Sequence, residues 1–371
     1  MKILHISNWY PSPDAPHRAL WIKDQIELMK GIADYEVWHV EVINKSPVGL
    51  KTTRLSETEN SLILSFPTGR WFFIEILSFW LLVYLFFLKL SQKGFSHIHF
   101  HIAYPLLTYW CWIGHWVKKP IILSEHWSAY HHHFNVKKEG KLHRIKQIFH
   151  QPLHVVTPST ALFDDIVRFS GNGNLKGTVI PNVVDAEIFN FKQEAIRANS
   201  FFMVSQWKEP KDPFTVLEAV KDMPYVSLRI GGYGPQLHRM KDFVEQHNFS
   251  DRVVFLGTLS KKEIADEMRQ ATAFIHSSNY ETFSVVCAEA ICCGCPVLAS
   301  EVGGIPEFIN VENGSLVKEQ SLDSWKAGLL NVKKWNKSRS EISKSALKKF
   351  QIEDSIYRLN LIYQRSYKTL M

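Results

Sequence analysis

Cysteine is scarce and unevenly placed: of five, four crowd at Cys287, Cys292, Cys293 and Cys295. An odd, lopsided set excludes a disulfide framework, and a reducing compartment is expected. Cys292-Cys293-Gly294-Cys295 lacks the paired C-x-x-C knuckles of a zinc site and sits in a small-residue, apolar turn, so these thiols are expected to be small buried hydrophobes. Charge is also sparse. Asp, Glu, Lys and Arg make up 21% of 371 residues against 46% hydrophobic, which excludes a disordered chain. The net charge of +7 is too diffuse to argue for nucleic acid, but it suits anionic lipid or phosphate-bearing ligands. Met1-Lys2-Ile3-Leu4-His5-Ile6-Ser7 is an apolar strand pattern without the regions of a secretory signal, so the chain is expected to stay in the cytoplasm.

At roughly 100–200 residues per domain, two domains are expected, with a ligand cleft between them. Strand-length apolar runs alternate with helical patterns. They fall at 3–7, 37–43, 97–100, 120–124, 155–158 and 178–181 in the front half, and at 201–205, 226–231, 252–256, 273–276 and 296–300 in the back half. This is the pattern of parallel β/α units, and it predicts an α/β protein of two doubly wound, Rossmann-like domains. The first domain is expected over 1–185, a linker without apolar periodicity over 186–199, and the second domain over 200–354. A final helical stretch, 355–371, has no strand after it.

Two segments of the front half bear on partners. Residues 71–88 carry Glu75 as their only charge and as a helix would run about 27 Å. A buried core helix, a helix resting on a membrane and a spanning helix are all open readings. Residues 137–146 are a basic run, read either as a solvated loop and helix start or as a contact for an anionic acceptor or lipid headgroup. Residues 1–185 also hold 14 of the 17 histidines.

The richest segment for chemistry is Asn279-Tyr280-Glu281-Thr282-Phe283-Ser284-Val285, running on to Glu289. A helix starting near Phe283 would present free N–H groups and a positive dipole end to a phosphate, with Glu281 in the loop before it and Glu289 inside the helix. Carboxylates accept paired hydrogen bonds from vicinal diols, so a nucleotide sugar fits this arrangement.

Further residues make the pattern specific. Glutamates eight apart, followed by Ala290-Ile291-Cys292-Cys293-Gly294-Cys295-Pro296-Val297 and then Val302-Gly303-Gly304-Ile305-Pro306-Glu307, resemble the donor-site signature of glycosyltransferase family 4. Val179-Ile180-Pro181-Asn182, Ile230-Gly231-Gly232-Tyr233-Gly234-Pro235 and Phe255-Leu256-Gly257 resemble its companion segments in order. The resemblance implies a GT-B fold, two Rossmann-like domains facing across a cleft, with the final helix crossing back to the first domain. It implies retaining transfer of a hexosyl or N-acetylhexosaminyl group from a nucleotide-diphospho-sugar.

Carried over by position, Glu281 would hold the donor sugar, Glu289 the ribose, and the backbone at Phe283, Ser284 and Val285 the diphosphate. Lys211 would stabilise the leaving diphosphate, with Gly257 in a nucleotide-side loop. Gln206 stands where the family usually has arginine, and Ala19 where it has glycine; neighbouring Arg18 is a candidate for the missing charge. His126, at a strand end in Ser124-Glu125-His126-Trp127, is the candidate for contact with the transferred sugar or acceptor. His99 and His101 alternate on one strand and face one side, which suits the acceptor side; a metal-binding pair is the other reading, and no metal ligand is assigned.

The chain contains no Asp-x-Asp triplet. Cations and a helix N-terminus must then hold the diphosphate, and no metal or other cofactor is expected. UDP is favoured over GDP as the carrier. The acceptor is expected to be a saccharide or lipid-linked saccharide in surface polysaccharide assembly at the inner face of the membrane. Two other readings remain: a non-catalytic, membrane-associated nucleotide-sugar-binding subunit, and an NAD-dependent oxidoreductase. The second lacks a G-x-G-x-x-G run.

Overall fold

A computed structural model describes the chain except at residues 13–14, 16–17, 29, 68–70, 90–93, 113–116, 118, 137 and 369–371, and except for the side chains at 71–72, 87–89 and 366–368. It divides into two compact units: Met1–Pro181 with Ile352–Met371, and Asn182–Gln351.

The first unit is built on an eight-stranded sheet. Its strands are β1 (Lys2–Ser7), β2 (Asp34–Ile43), β3 (Gly49–Arg54), β4 (Glu59–Ser65), β5 (His97–His101), β6 (Ile121–Ser124), β7 (His154–Thr157) and β8 (Gly177–Val179). Their order is β3-β4-β2-β1-β5-β6-β7-β8, and every pairing is parallel except the β3–β4 hairpin. Its helices are α1 (Leu20–Glu27), α2 (Trp71–Lys89), α3 (Glu139–Ile148), α4 (Thr160–Ser170) and, from the end of the chain, α11 (Ile352–Lys368).

Strand alternation sorts the side chains of this sheet. Leu4, Ile6, Ile98, Phe100 and Leu123 enter a core with Leu82 and Leu85 of α2, Ile145 of α3 and Ile166 of α4. Ile3, Ile122 and Val156 point to the other face, where they meet Leu359, Ile362 and Tyr363 of α11. Beside them Val37 and Ile102 pack with Ile22 and Ile26 of α1.

The second unit carries a six-stranded parallel sheet in the order β11-β10-β9-β12-β13-β14. These strands are β9 (Ser200–Gln206), β10 (Ser227–Tyr233), β11 (Val253–Gly257), β12 (Ala273–His276), β13 (Val297–Ser300) and β14 (Gly314–Val317). Its helices are α5 (Pro213–Lys221), α6 (Leu237–Gln246), α7 (Lys261–Gln270), α8 (Val285–Cys292), α9 (Leu322–Lys333) and α10 (Arg339–Lys349). Sequence sets several starts locally: Asp212 caps α5 ahead of a proline, and Ser260 with Glu263 forms a reciprocal capping box on α7. Apolar cores cover both faces of the sheet.

Several expectations change. The hairpin β3–β4 and the strand β14 lie outside the strands expected from sequence; β3 is mostly exposed and polar and β14 is short, so neither shows an apolar run. Residues 186–199 contain no helix or strand, yet they belong to the second unit, with Phe189 buried in its core. The final helix starts at Ile352 rather than 355, and residues 369–371 of the expected stretch lie outside the described residues. Among the described residues no helix is long and apolar enough to cross a membrane. The charge that interrupts 71–88 is neutralised inside the unit. Glu75 is fully buried, accepts a hydrogen bond from Tyr104 Oη at 3.0 Å and pairs with Arg144 at 2.8 Å, with Lys141 at 3.9 Å. Two cations of the basic run 137–146 are therefore directed at α2; Lys137 lies outside the described residues. The four clustered cysteines are buried and free, and Cys111 is exposed.

Candidate functional site

The densest constellation in the second unit lies where two loops are tied together. The loop after β9 is held to the loop after β12 by three backbone contacts: Asn279 N–H donates to Pro210 C=O at 2.8 Å, Asp212 N–H donates to Ser277 C=O at 3.2 Å, and Lys211 bridges to Ser278. This brings the Lys211 ammonium into direct contact with Oε1 of Glu281. From the end of β12, buried His276 reaches the same oxygen through Nε2 at 2.7 Å. An ionised carboxylate only accepts, so His276 Nε2 carries the proton. Burial pulls the Glu281 carboxyl upward, but Lys211 and His276 outweigh it and hold it down at about 2. Burial lowers His276 more than Glu281 raises it, so its imidazole is neutral at pH 7.

The third wall of Glu281 is backbone. Gly303 has φ 51°, a Cβ there would stand 1.7 Å from Glu281 C=O, and Gly304 N–H donates to that carbonyl at 3.0 Å. Only glycine fits this approach, which explains Gly303.

Helix α8 begins at Val285 rather than near Phe283, because Ser284 takes a left-handed conformation (φ 74°, ψ 80°) and caps without a side-chain bond. Strain of this kind in a non-glycine residue persists only where the surroundings enforce it. Here Phe283 supplies the anchor, buried against Phe308 and Phe350 with centroids 4.9 and 5.8 Å apart. The N–H groups of Val285 to Cys287 head the helix, the position from which a helix offers donors to an anion. Glu289 is buried one turn in. Gln206 is exposed at the end of β9, and Gly257 ends β11 with φ 71°.

In the first unit the expected residues occupy two strand ends and one loop. His126 follows β6; burial lowers it to about 4, and its Nε2 lies 3.4 Å from Gln25 Oε1 while its buried Nδ1 has no partner. Its neighbour Glu125 is fully buried and accepts from the N–H groups of Ala103, His126 and Trp127 and from Tyr130 Oη. Burial still raises its carboxyl above the ordinary value. Arg18 is committed locally, in a two-fold bond to Glu41 at 2.8 Å on each nitrogen; burial would raise Glu41, but His39 and Arg18 hold it low. Ala19 takes a left-handed conformation, φ 51° and ψ 42°, at the start of α1, one that glycine adopts more readily than alanine. His99 and His101, expected on the acceptor side, are instead buried, because β5 turns them toward α11. His99 bonds to Tyr363 Oη and Ser124 Oγ, and His101 to His5.

Sequence reading missed His276 and Glu125. His276 had a usable signal, a histidine at a strand end five residues before Glu281; nothing local marks Glu125, whose bonding partners gather only in the fold.

Two family models match consecutive parts of the chain, Glycosyltransferase Family 4 over residues 38–188 and Glycosyl transferases group 1 over residues 185–349. A human subunit of phosphatidylinositol N-acetylglucosaminyltransferase is 31% identical over 184 residues, 47% of this chain and 37% of that protein. Among the first curated relatives the matched part spans 34% to 55% of their length. Sucrose-phosphate synthase from Thermosynechococcus elongatus superposes with a TM-score of 0.79 over 100% of both chains at 18% identity. Anabaena HepE in complex with UDP does so with a TM-score of 0.77 over 98% of this chain and 100% of that one, at 14% identity. With both family models matched in succession on a GT-B fold, the chain belongs to the group 1 glycosyltransferases of family 4.

Proposed function

We propose that the protein transfers a hexosyl or N-acetylhexosaminyl group, with retention, from a UDP-sugar to a hydroxyl of a saccharide or lipid-linked saccharide. The observation that carries this reading is the convergence of Lys211 and His276 on Glu281 beside the head of α8. Bond breaking develops negative charge on the leaving diphosphate. Lys211 and the N–H groups heading α8 meet that charge without reorganising, so no divalent metal is needed there. Glu281, ionised and oriented by two donors, accepts from the sugar hydroxyls, and Glu289 from the ribose. Gln206 and Gly257 are assigned to the nucleotide, as the family resemblance implies, while Arg18 is already held by Glu41. His126, neutral at pH 7, contacts the transferred sugar or acceptor. A HepE structure holds UDP and the human relative is named for N-acetylglucosaminyl transfer, which supports this class of donor.

The acceptor side of the proposal rests on α2. Phe73, Trp80 and Tyr84 recur on one face, 43%, 61% and 43% exposed, and Trp112 beside them is 61% exposed. Trp and Tyr favour the membrane–water interface. This face is assigned to contact with the inner leaflet, where a lipid-linked acceptor of surface polysaccharide assembly would be met, with exposed Lys138 and His143 on and before α3 as candidate contacts for anionic headgroups.

The test offers UDP-glucose, UDP-N-acetylglucosamine and GDP-mannose in EDTA, with lipid-linked acceptors in vesicles. Release of UDP with a product whose anomeric coupling matches the donor is the expected result. Release from GDP-mannose alone, or transfer only on adding Mg²⁺, overturns the donor or the metal-free part. A chain that binds UDP and transfers nothing is the non-catalytic subunit.

A further inference from the structure

The second face of the first sheet gathers three imidazoles that come from two strands. β1 and β5 pair in parallel with His5 opposite His99, and His101, two residues further on, points the same way. One ring nitrogen from each lies within 4.8 Å of the others. His5 Nδ1 is 3.0 Å from His101 Nε2, and the rings of His99 and His101 stack with centroids 4.4 Å apart. None of the three side chains is more than 1% exposed. His5 Nε2 and His101 Nδ1, the ring nitrogens turned away from this pair, are buried without a partner, so the nitrogens that face each other are His5 Nδ1 and His101 Nε2.

The surroundings orient the cluster further. His99 is gripped from both sides, by Tyr363 Oη of α11 at 2.6 Å and by Ser124 Oγ at 2.9 Å. A metal-ligating histidine is held by an acceptor on its outer N–H that fixes its tautomer and direction, and a hydroxyl oxygen can be that acceptor. With Nε2 released from Ser124 and turned inward, Nδ1 keeps Tyr363 Oη.

We propose that His5, His99 and His101 bind one transition-metal ion of the imidazole-selecting kind, zinc, nickel or copper. Three nitrogen ligands without a carboxylate select against magnesium and calcium, which take oxygen. Two nitrogens each roughly 2.0–2.1 Å from a tetrahedral ion stand about 3.3 Å apart. The His5–His101 spacing is already close to that, and His99 closes on it by giving up one of its two hydrogen bonds. The ion ties β1 to β5 directly and α11 through Tyr363, so its role is to fasten the end of the chain onto the first sheet. None of its ligands belongs to the Lys211–Glu281 constellation.

The experiment uses the full chain, stripped with EDTA and then equilibrated with zinc or cobalt, with bound metal counted by mass spectrometry after gel filtration. One ion per chain is expected, with the visible absorption of nitrogen-ligated cobalt and a higher melting temperature. His5→Gln and His101→Gln, which retain a hydrogen-bonding group, should each lose the ion. Tyr363→Phe should weaken binding by roughly ten- to a hundredfold. Substituting the exposed loop histidines, His131, His132 and His133, with asparagine should leave the stoichiometry unchanged. The metal-free melting temperature and circular dichroism of each variant show that it is folded. The proposal is overturned if the wild type keeps no ion, if His5→Gln and His101→Gln keep as much as the wild type, or if the loop variant is the one that loses it.

Discussion

The two units differ in what their buried polarity is mostly made of. In the first, beside the paired Glu75, it is imidazole: His5, His97, His99, His101 and His126 all have their protonation suppressed by burial, His5 to about 3 and His126 to about 4. In the second it is charge answered by charge, with Lys211 on Glu281, and Arg197 and Arg229 together on Glu267. The difference decides how each responds to acid. A histidine held below its ordinary value leaves the unfolded chain binding more protons than the native one, so its stability is intact above about pH 6.5 and falls as pH drops toward the native value. A carboxyl held low, such as Glu281 at about 2, contributes above its ordinary range and is lost only as pH falls from there toward 2. Mild acid should therefore loosen the first unit more than the second, whose buried histidine is His276.

The largest expected effect sharpens the functional side of this contrast. Lys211→Met removes the cation that answers the leaving diphosphate and should lower transfer by roughly a hundred- to a thousandfold, read in steady-state assays against each donor. Next is the acid contrast itself. In EDTA at pH 5 the histidines that burial holds below their ordinary value should lower the stability of the first unit. Amide exchange corrected for intrinsic rate should then show lost protection in β1, β5 and β6 while β9 and β10 hold; equal loss in both units would break the comparison.

A smaller effect is expected at His276. His276→Ala should lower transfer about tenfold through loss of Glu281 orientation, and His276→Gln, which keeps a donor, should restore most of it; a merely structural histidine would show no such rescue. Smallest in stability is Trp80→Ala, within about 0.5 kcal/mol as expected for an exposed site, with loss of sedimentation on anionic vesicles as its readout.

These residues also mark what the sequence could and could not tell. The parallel strands and the Glu281–Glu289 spacing were legible because each depends on a short local pattern: an apolar run, or a loop opening a helix. The segment 71–88 stayed ambiguous because the partners that neutralise Glu75, namely Tyr104, Lys141 and Arg144, come from distant parts of the chain. Arg18 looked like a spare charge because Glu41 lies on another element. His99 and His101 were visible as a pair, but their third member, His5, appears only through the register of β1 on β5. The hairpin β3–β4 escaped because its exposed edge strand has no apolar run.

The central claim is that the second unit holds a UDP-sugar through Lys211, Glu281 and the head of α8 without a divalent metal. Melting temperature with and without UDP, in EDTA, tests it most directly, for the wild type and for Lys211→Met. At about 100 times its dissociation constant UDP should stabilise the wild type by roughly 2.7 kcal/mol, and the variant much less. An equal shift in both proteins, or a shift in the wild type only after Mg²⁺ is added, would contradict it.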